Sequence, residues 1–397
     1  MQYDRTFFDA PVDRLGTACE KWDGLWRKEN KELLPMWVAD MDFRGPGEVM
    51  RALQKRAAHG IYGYTEQTGA AARAMLDFFQ RRHGLSLALS QQRMLPCVVT
   101  GLQAAVRALT KPGDGVILQP PVYGPFFNAV ESNGRIPAEN PLLLDSRGCY
   151  TMDYDGLRRL CQKSAKLMFL CNPHNPVGRC WTRDELLRLW NILSYYGVTL
   201  VSDEIHWDFV YERDAFTSAL ALEPETSDSN EGPGVVVLTS ASKTFNLAGL
   251  QQAAALSRNA VLLDTLDMEM KRAGVVSGNI FGMVATEAAY RHGDAWLDAL
   301  LPYLLEAYAL CGQMLSVHLP KAVLSPLEAT YLGWIDLRAY GFSTAELMAR
   351  THEAGVAFTP GTFFGKSEGE GFLRINLACP HSQTAEALKR LERAVTS

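Results

Sequence analysis

The sequence predicts an α/β protein: a large domain built on a mostly parallel sheet sandwiched by helices, joined to a smaller α+β domain. Three observations carry that reading. The middle of the chain alternates short, unbroken apolar runs with amphipathic stretches, the pattern of strands buried on both faces and linked by helices. From about Thr286 the texture changes to long helical periodicity followed by a few strand-like runs. The 397 residues suit two domains better than one simple core. The expected bounds are 46–285 for the large domain, and 1–45 with 286–397 for the small one.

The buried strands are read, in order, at "GVILQPP" (115–121), "KLMFLCNP" (166–173), "VTLVSDEI" (198–205), "VVVLTSAS" (235–242) and "AAALS" (253–257). Helical patterns lie between several of them, at 122–134, 151–164 and 182–197. The last opens on Thr182 with Glu185 three residues on, a capping box. "ALEPETSDSNEGPG" (221–234) has no periodicity and reads as a surface loop. The strongly apolar "EAAYRHGDAWLDALLPYLLEAYALCGQML" reads as long helix. "TYLGWIDL" (330–337), a helix through "TAELMARTHEAG", "VAFTPGTFFG", "GFLRINLA" and a final helix complete the second domain. The first 45 or so residues are expected to pack with it.

Apolar content of 47% and charged content of 21% are those of a soluble globular protein. A net charge of −5 offers no attraction to nucleic acid or an anionic membrane. The opening residues lack a basic stretch leading into an apolar one, so no secretory signal is expected. The eight cysteines are scattered, with no CxxC pair, and read as free thiols of a reducing cytoplasm.

In open parallel sheets, ligands bind beyond the carboxyl ends of the strands. Those positions carry Tyr123; Asn172, His174 and Asn175; Asp203 and His206; and Ser240, Ser242 and Lys243. In "CVVTGLQAAVRAL" an apolar run turns into a helix near Gly101, where free N–H groups would make an anion site. Singly, each has an ordinary structural reading. A lone aspartate at a strand end is usually a cap, and a lone lysine after a strand is usually solvated. Tyr64 and Tyr123 could be core aromatics, and Arg374 could belong to a structural ion pair. His174 and Asn172 read better as structural. Together, a desolvated lysine, a carboxylate, an aromatic ring and an anion cradle match the needs of pyridoxal 5′-phosphate (PLP). That cofactor requires an amine to bond, a carboxylate for its ring nitrogen and a phosphate site.

"NPHNPVG", "SDEIHWD" and "SKTFNLAGLQ" resemble the motif series of the fold-type I PLP enzymes, the aspartate aminotransferase superfamily. "PMWVADMDF" (35–43), "HGIYGYT" (59–65), "KPGDGVILQPPVYGPF" (111–126), "SGNIFGMVATEAAY" (277–290) and "FLRINLACP" (372–380) resemble its C–S β-lyase branch, which includes cystathionine β-lyases. The resemblance spans nearly the whole chain. It implies Lys243 as the lysine that bonds the cofactor and shuttles protons, Asp203 at the pyridine nitrogen and Asn175 at the ring O3′. It implies Tyr123 stacked on the ring and His206 on the aspartate side. Ser240, Ser242 and the backbone of Gly101, Leu102 and Gln103 would hold the phosphate. Tyr64 would reach the neighbouring subunit's cofactor in a homodimer with shared active sites. Arg374 would clamp the substrate α-carboxylate, with Trp37 and Ala39 also at the substrate and Trp37, Met41 and Phe363 tuning specificity. No metal is implied.

Many aminotransferases of the superfamily carry an arginine eight residues after the lysine; here that position is Gln251, as in the lyase branch. The implied activity is therefore PLP-dependent β-elimination from L-cystathionine or related cysteine S-conjugates, giving a thiol, pyruvate and ammonia. The alternative is an aminotransferase acting on a neutral or aromatic amino acid. A reading of another class, a regulatory or partner-binding protein without turnover, is disfavoured because Lys243 and Asp203 are both present.

Overall fold

The computed structural model describes residues 2–396 except 67–68, 164, 213–214, 224–231 and 276–277. Most of the expected surface loop at 221–234, and Ser277 at the head of one motif, therefore lie outside the described residues.

The core is a seven-stranded sheet of β1 (Gln92–Leu95), β2 (Gly115–Leu118), β3 (Ile136–Glu139), β4 (Leu167–Cys171), β5 (Thr199–Asp203), β6 (Val235–Thr239) and β7 (Ala253–Leu256), in the order β1-β7-β6-β5-β4-β2-β3. β3, β2, β4, β5 and β6 run parallel, while β7 is antiparallel to both of its neighbours. All five residues of β4 and of β6 are buried, which is why their sequences are apolar without alternation. Successive side chains still point to opposite faces. Met168 and Leu170 enter one core layer, and Leu167, Phe169 and Cys171 the other. The capping box forms as expected: Glu185 N–H donates to Thr182 Oγ1 (3.2 Å) and Thr182 N–H to Glu185 Oε2 (2.9 Å). All eight cysteines are free.

Strands β1 and β3 escape the sequence reading because they are edge strands. "QRML" and "IPAE" are only partly buried and lack an apolar run. The apolar stretch after Thr286 is not one helix. Ile280–His292 and Asp294–His318 are separate helices that meet at Gly293. A Cβ at Gly293 would collide with the Phe245 ring and the Ala289 carbonyl, so the junction requires glycine. The expected boundary at 285/286 falls inside the first of these helices, which packs on Gly47–Ala58 and Ala70–His83. Tyr290 makes ring contacts with Phe78 (4.9 Å) and Phe79 (5.7 Å). Asp294–His318 is long and apolar enough to cross a bilayer by composition, but it buries Trp296, Leu300, Leu304, Ala307 and Cys311 in the protein core.

The second sheet contains Val323–Leu324, Leu332–Asp336, Phe372–Asn376 and Thr359–Pro360, all antiparallel. Leu34–Pro35 of the N-terminal segment pairs in parallel with Val356–Ala357, forming a separate two-stranded sheet beside it. The same segment also grips the large domain. Asn246 accepts from Met41 N–H (3.0 Å) and donates to the carbonyls of Met41 and Phe43 (2.9 and 3.1 Å).

Helix α1 (Val98–Leu109) lies against the sheet with Gly101 at the point of closest approach. A Cβ there would come within 2.8 Å of Leu95 Cδ1 and 3.0 Å of Leu238 Cδ2. Gly101→Val is expected to destabilise the protein by about 1–3 kcal/mol through overpacking, measured as a lower urea midpoint at unchanged m-value.

Candidate active site

The carboxyl ends of β2, β4, β5 and β6 open into one cleft. Ala39, Tyr123, Asn175, Asp203, His206, Ser240, Ser242 and Lys243 all line it. Lys243 is carried by the one-turn helix Ala241–Thr244, which starts directly after β6. Its Nζ donates to the Ala39 carbonyl at 2.5 Å. Burial pushes its pKa down to about 8, with the Arg374 cation acting in the same direction and Asp40 and Asp203 opposing. A lysine so placed is a usable amine near neutral pH.

Asp203 ends β5. One oxygen accepts the Ile205 N–H (3.2 Å); the other has no partner among the described residues. Burial raises its carboxyl to about 7, moderated by that N–H and by Lys243. A cationic N–H in the cleft would return it to the carboxylate. His206 is held neutral by burial, with Lys243 and Arg374 adding to the effect, and its Nδ1 has no partner. Tyr123 is pushed up to about 12 by burial and then by the charge of Asp203, so it remains a phenol. His174 Nε2–H donates to the Pro121 carbonyl (2.9 Å), in keeping with a structural role.

Arg374 is buried on the central strand of the second sheet. Nη1 donates to Asn175 Oδ1 (3.0 Å), and Nη2 to the Trp37 carbonyl (2.7 Å) and Thr359 Oγ1 (3.2 Å). Among the described residues Nε has no partner and no carboxylate pairs with the guanidinium. Burial lowers its pKa to about 10. A buried cation without a counter-ion is costly and is relieved by an incoming anion. The possibility of a structural ion pair is thus not realised.

Several expected site residues stand elsewhere. α1 begins at Val98, so the Gly101 N–H is already bonded to the Cys97 carbonyl (3.2 Å). Leu102 is wholly in the core, and the Gln103 side chain accepts from Asn133 (2.6 Å). The N–H groups left open at the helix start are those of Val98, Val99 and Thr100. Cys97, Val98 and Val99 line the cleft, whereas Gly101, Leu102 and Gln103 do not, so the open N–H groups that could meet an anion are those of the helix start. Ser240 spends its proton on the Gln252 carbonyl (2.6 Å) and accepts from Ser242 N–H (3.0 Å), leaving Ser242 as the freer hydroxyl. The Trp37 indole turns away and donates to the Lys21 carbonyl (3.1 Å); only its backbone carbonyl meets Arg374. Met41 is in the core, and Phe363 is half-exposed. Tyr64 is fully exposed and does not line the cleft of its own chain.

Sequence reading missed Gln252, whose buried Oε1 lacks a partner, and Tyr331, which donates to the Ala39 carbonyl. Gln252 adjoins Gln251, so the "GLQ" ending was its available signal; Tyr331 offered none. Gln251 itself lines the cleft in a left-handed conformation (φ 47°).

Residues 33–391 match the model of the family described as aminotransferase class I and II. The chain belongs to that family. This class I and II aminotransferase homologue is 40% identical over 98% of its length to all of the Bacillus subtilis cystathionine beta-lyase PatB. It is also similar to PLP-containing cystalysin from Treponema denticola (TM-score 0.91, 32% identity, 100% of this chain and 99% of that one). The PLP-bound C-S lyase from Staphylococcus hominis gives a TM-score of 0.89 at 31% identity, covering 98% of each chain.

PLP fits the residues present. The open helix start would hold its phosphate. Lys243 would offer the amine, and the other oxygen of Asp203 would face the ring nitrogen. Asn175, Tyr123 and His206 line the cleft and would border the ring between them.

Bonding of PLP by Lys243 needs the neutral amine. The rate of cofactor linkage to apoprotein is therefore expected to rise with pH through about 8 and then level off, read from the visible absorbance that accompanies linkage. Asp203→Asn is expected to lower kcat/KM by about 10²–10³-fold, with PLP still bound. Arg374→Lys loses the planar fork and is expected to raise KM for an amino-acid substrate about tenfold to a hundredfold.

Proposed function

We propose that the protein is a PLP-dependent carbon–sulfur β-lyase acting on L-cystathionine or related cysteine S-conjugates. The observation that carries this reading is the full-length similarity to a protein named cystathionine beta-lyase, joined to a cleft that holds a neutralisable lysine and an unpaired buried arginine. Arg374 orients the substrate by its α-carboxylate, using the two N–H groups that its protein partners leave free. Lys243 Nζ, released from the cofactor by the substrate amine, takes the α-proton. PLP, when bound, supplies the sink for the electrons left at the α-carbon. Asp203 keeps the ring nitrogen protonated and so maintains that sink. The Cβ–S bond then breaks with its electron pair leaving on sulfur, and Lys243, now an ammonium, is the proton donor nearest to the reacting atoms. The released enamine hydrolyses to pyruvate and ammonia.

Gln251 supports the lyase over the aminotransferase, since the cradle around it carries a neutral amide in place of a guanidinium. The reading includes a homodimer in which the exposed Tyr64 reaches the partner's cofactor, and a cytoplasmic setting consistent with eight free cysteines.

The deciding assay offers L-cystathionine with and without 2-oxoglutarate. Pyruvate and thiol are expected without any oxo-acid. Glutamate formed only when 2-oxoglutarate is present would replace the lyase with the aminotransferase. Lys243→Ala is expected to reduce turnover by about 10⁴-fold or more and to abolish covalent retention of PLP in mass spectra of borohydride-treated protein.

A further inference from the structure

Four consecutive carbonyls of the segment Trp37–Asp40 are captured by side chains. Trp37 O accepts from Arg374 Nη2 (2.7 Å) and Thr359 Oγ1 (2.9 Å). Asn376 Nδ2 donates to both Val38 O and Asp40 O (2.6 Å each). Asp40 O also accepts from Lys21 Nζ (3.2 Å). Ala39 O accepts from Tyr331 Oη (2.9 Å) and from Lys243 Nζ (2.5 Å). The segment belongs to no strand, so these side chains do the work of a ladder.

Ala39 O is the one carbonyl of the four that touches the reacting lysine. It has two lone pairs, and Tyr331 holds one of them. Tyr331 is fully buried, its ring packed on His206 (5.6 Å) and Phe209 (4.8 Å), so its hydroxyl has little freedom to turn elsewhere. Asn376 pins the carbonyls on either side, so the Ala39 oxygen stays in place whether or not Tyr331 donates to it. Loss of the Tyr331 donor therefore does not release the oxygen. It leaves the oxygen a stronger acceptor for Lys243.

We propose that Tyr331 is a positioning residue for Lys243, acting through the Ala39 carbonyl: its hydroxyl occupies one lone pair, directs the other to Nζ, and weakens that oxygen's hold so that the lysine is free to react. The inference rests on the reading of Lys243 as the cofactor-bonding lysine. The other groups that act on Nζ are Asp203 at the end of β5, Arg374 on the second sheet, and Asp40 and Lys21 of the N-terminal segment, with neutral His206 and Tyr123 across the cleft. Tyr331→Phe leaves all of them in place.

The test mixes PLP with full-length apoprotein, wild type and Tyr331→Phe, from pH 6 to pH 10 and follows the visible band of linkage. In the variant the midpoint is expected to move up by about half to one pH unit, the weight of one hydrogen bond to a carbonyl, with the same plateau rate at high pH. At pH 7 linkage is then about three- to tenfold slower. An unchanged or lowered midpoint overturns the proposal, because a residue that only fills the core would lower stability without moving the curve upward. Urea unfolding of the variant verifies that the Phe ring maintains the packing. Should the variant not fold, Asn376→Ser provides the second arm: releasing the carbonyls on either side frees Nζ and is expected to lower the midpoint, and an unchanged or raised midpoint overturns the proposal. Lys243→Ala apoprotein, run alongside, is expected to give no band; a band there would mean another amine is bonded and would overturn the assignment of Lys243 itself.

Discussion

The cleft is organised around positive charge buried with too little negative charge to match it. Lys243 and Arg374 face the same space, and Asp203 is the carboxylate that approaches them from the sheet. Water is excluded, so each group is driven toward its neutral form: the lysine and arginine down, the aspartate up. A ligand with a phosphate at one end, a basic nitrogen at the other and a carboxylate-bearing substrate relieves all three at once. Such a site favours binding because it is unsatisfied when empty, and the free energy of burial is recovered when the ligands arrive.

That imbalance is sustainable only because the backbone around it is held rigidly. The parallel strands deliver Asp203 and Lys243 from one side, as their carboxyl ends converge. The second sheet delivers Arg374 and Asn376 from the other. The N-terminal segment is laid between them, tied by its carbonyls to one sheet and by Asn246 to the other domain. A cluster of buried Lys21 and Asp42 with the partly buried Arg14 and Asp40 anchors its far end, with Lys21–Asp42 and Arg14–Asp42 contacts of 2.8 and 2.7 Å. Both charges of each pair are matched there, in contrast to the cleft.

What could be read from the sequence followed from how strongly each feature marks its own residues. Strands buried on both faces leave unbroken apolar runs, so parallel β2, β4, β5 and β6 and antiparallel β7 were legible and, with them, the polar residues at their ends. Edge strands β1 and β3 leave no such mark. The helix start at Cys97 lacks a side-chain cap, so the cradle was placed at Gly101, a glycine whose actual demand is close packing against Leu95 and Leu238. The resemblance puts Trp37 at the substrate, yet the structure brings its carbonyl, and not its ring, to Arg374. Backbone acceptors have no letter in a sequence, and so the whole 37–40 arrangement, Tyr331 included, was invisible until side chains from positions near 240, 330 and 375 met it.

The capture of residues 37–40 also imposes an order in time. This segment is made well before the partners of its carbonyls at Tyr331, Thr359, Arg374 and Asn376. Some 300 residues must emerge before Ala39 can meet Tyr331, 292 positions later. The sheet that carries Asp203 and Lys243 can condense well before that, as domains of long chains do. A ribosome-bound chain would then hold a formed lysine and aspartate with no Ala39 carbonyl in place. Only a chain that has emerged beyond Asn376 assembles the complete site, so products truncated before it are left without one.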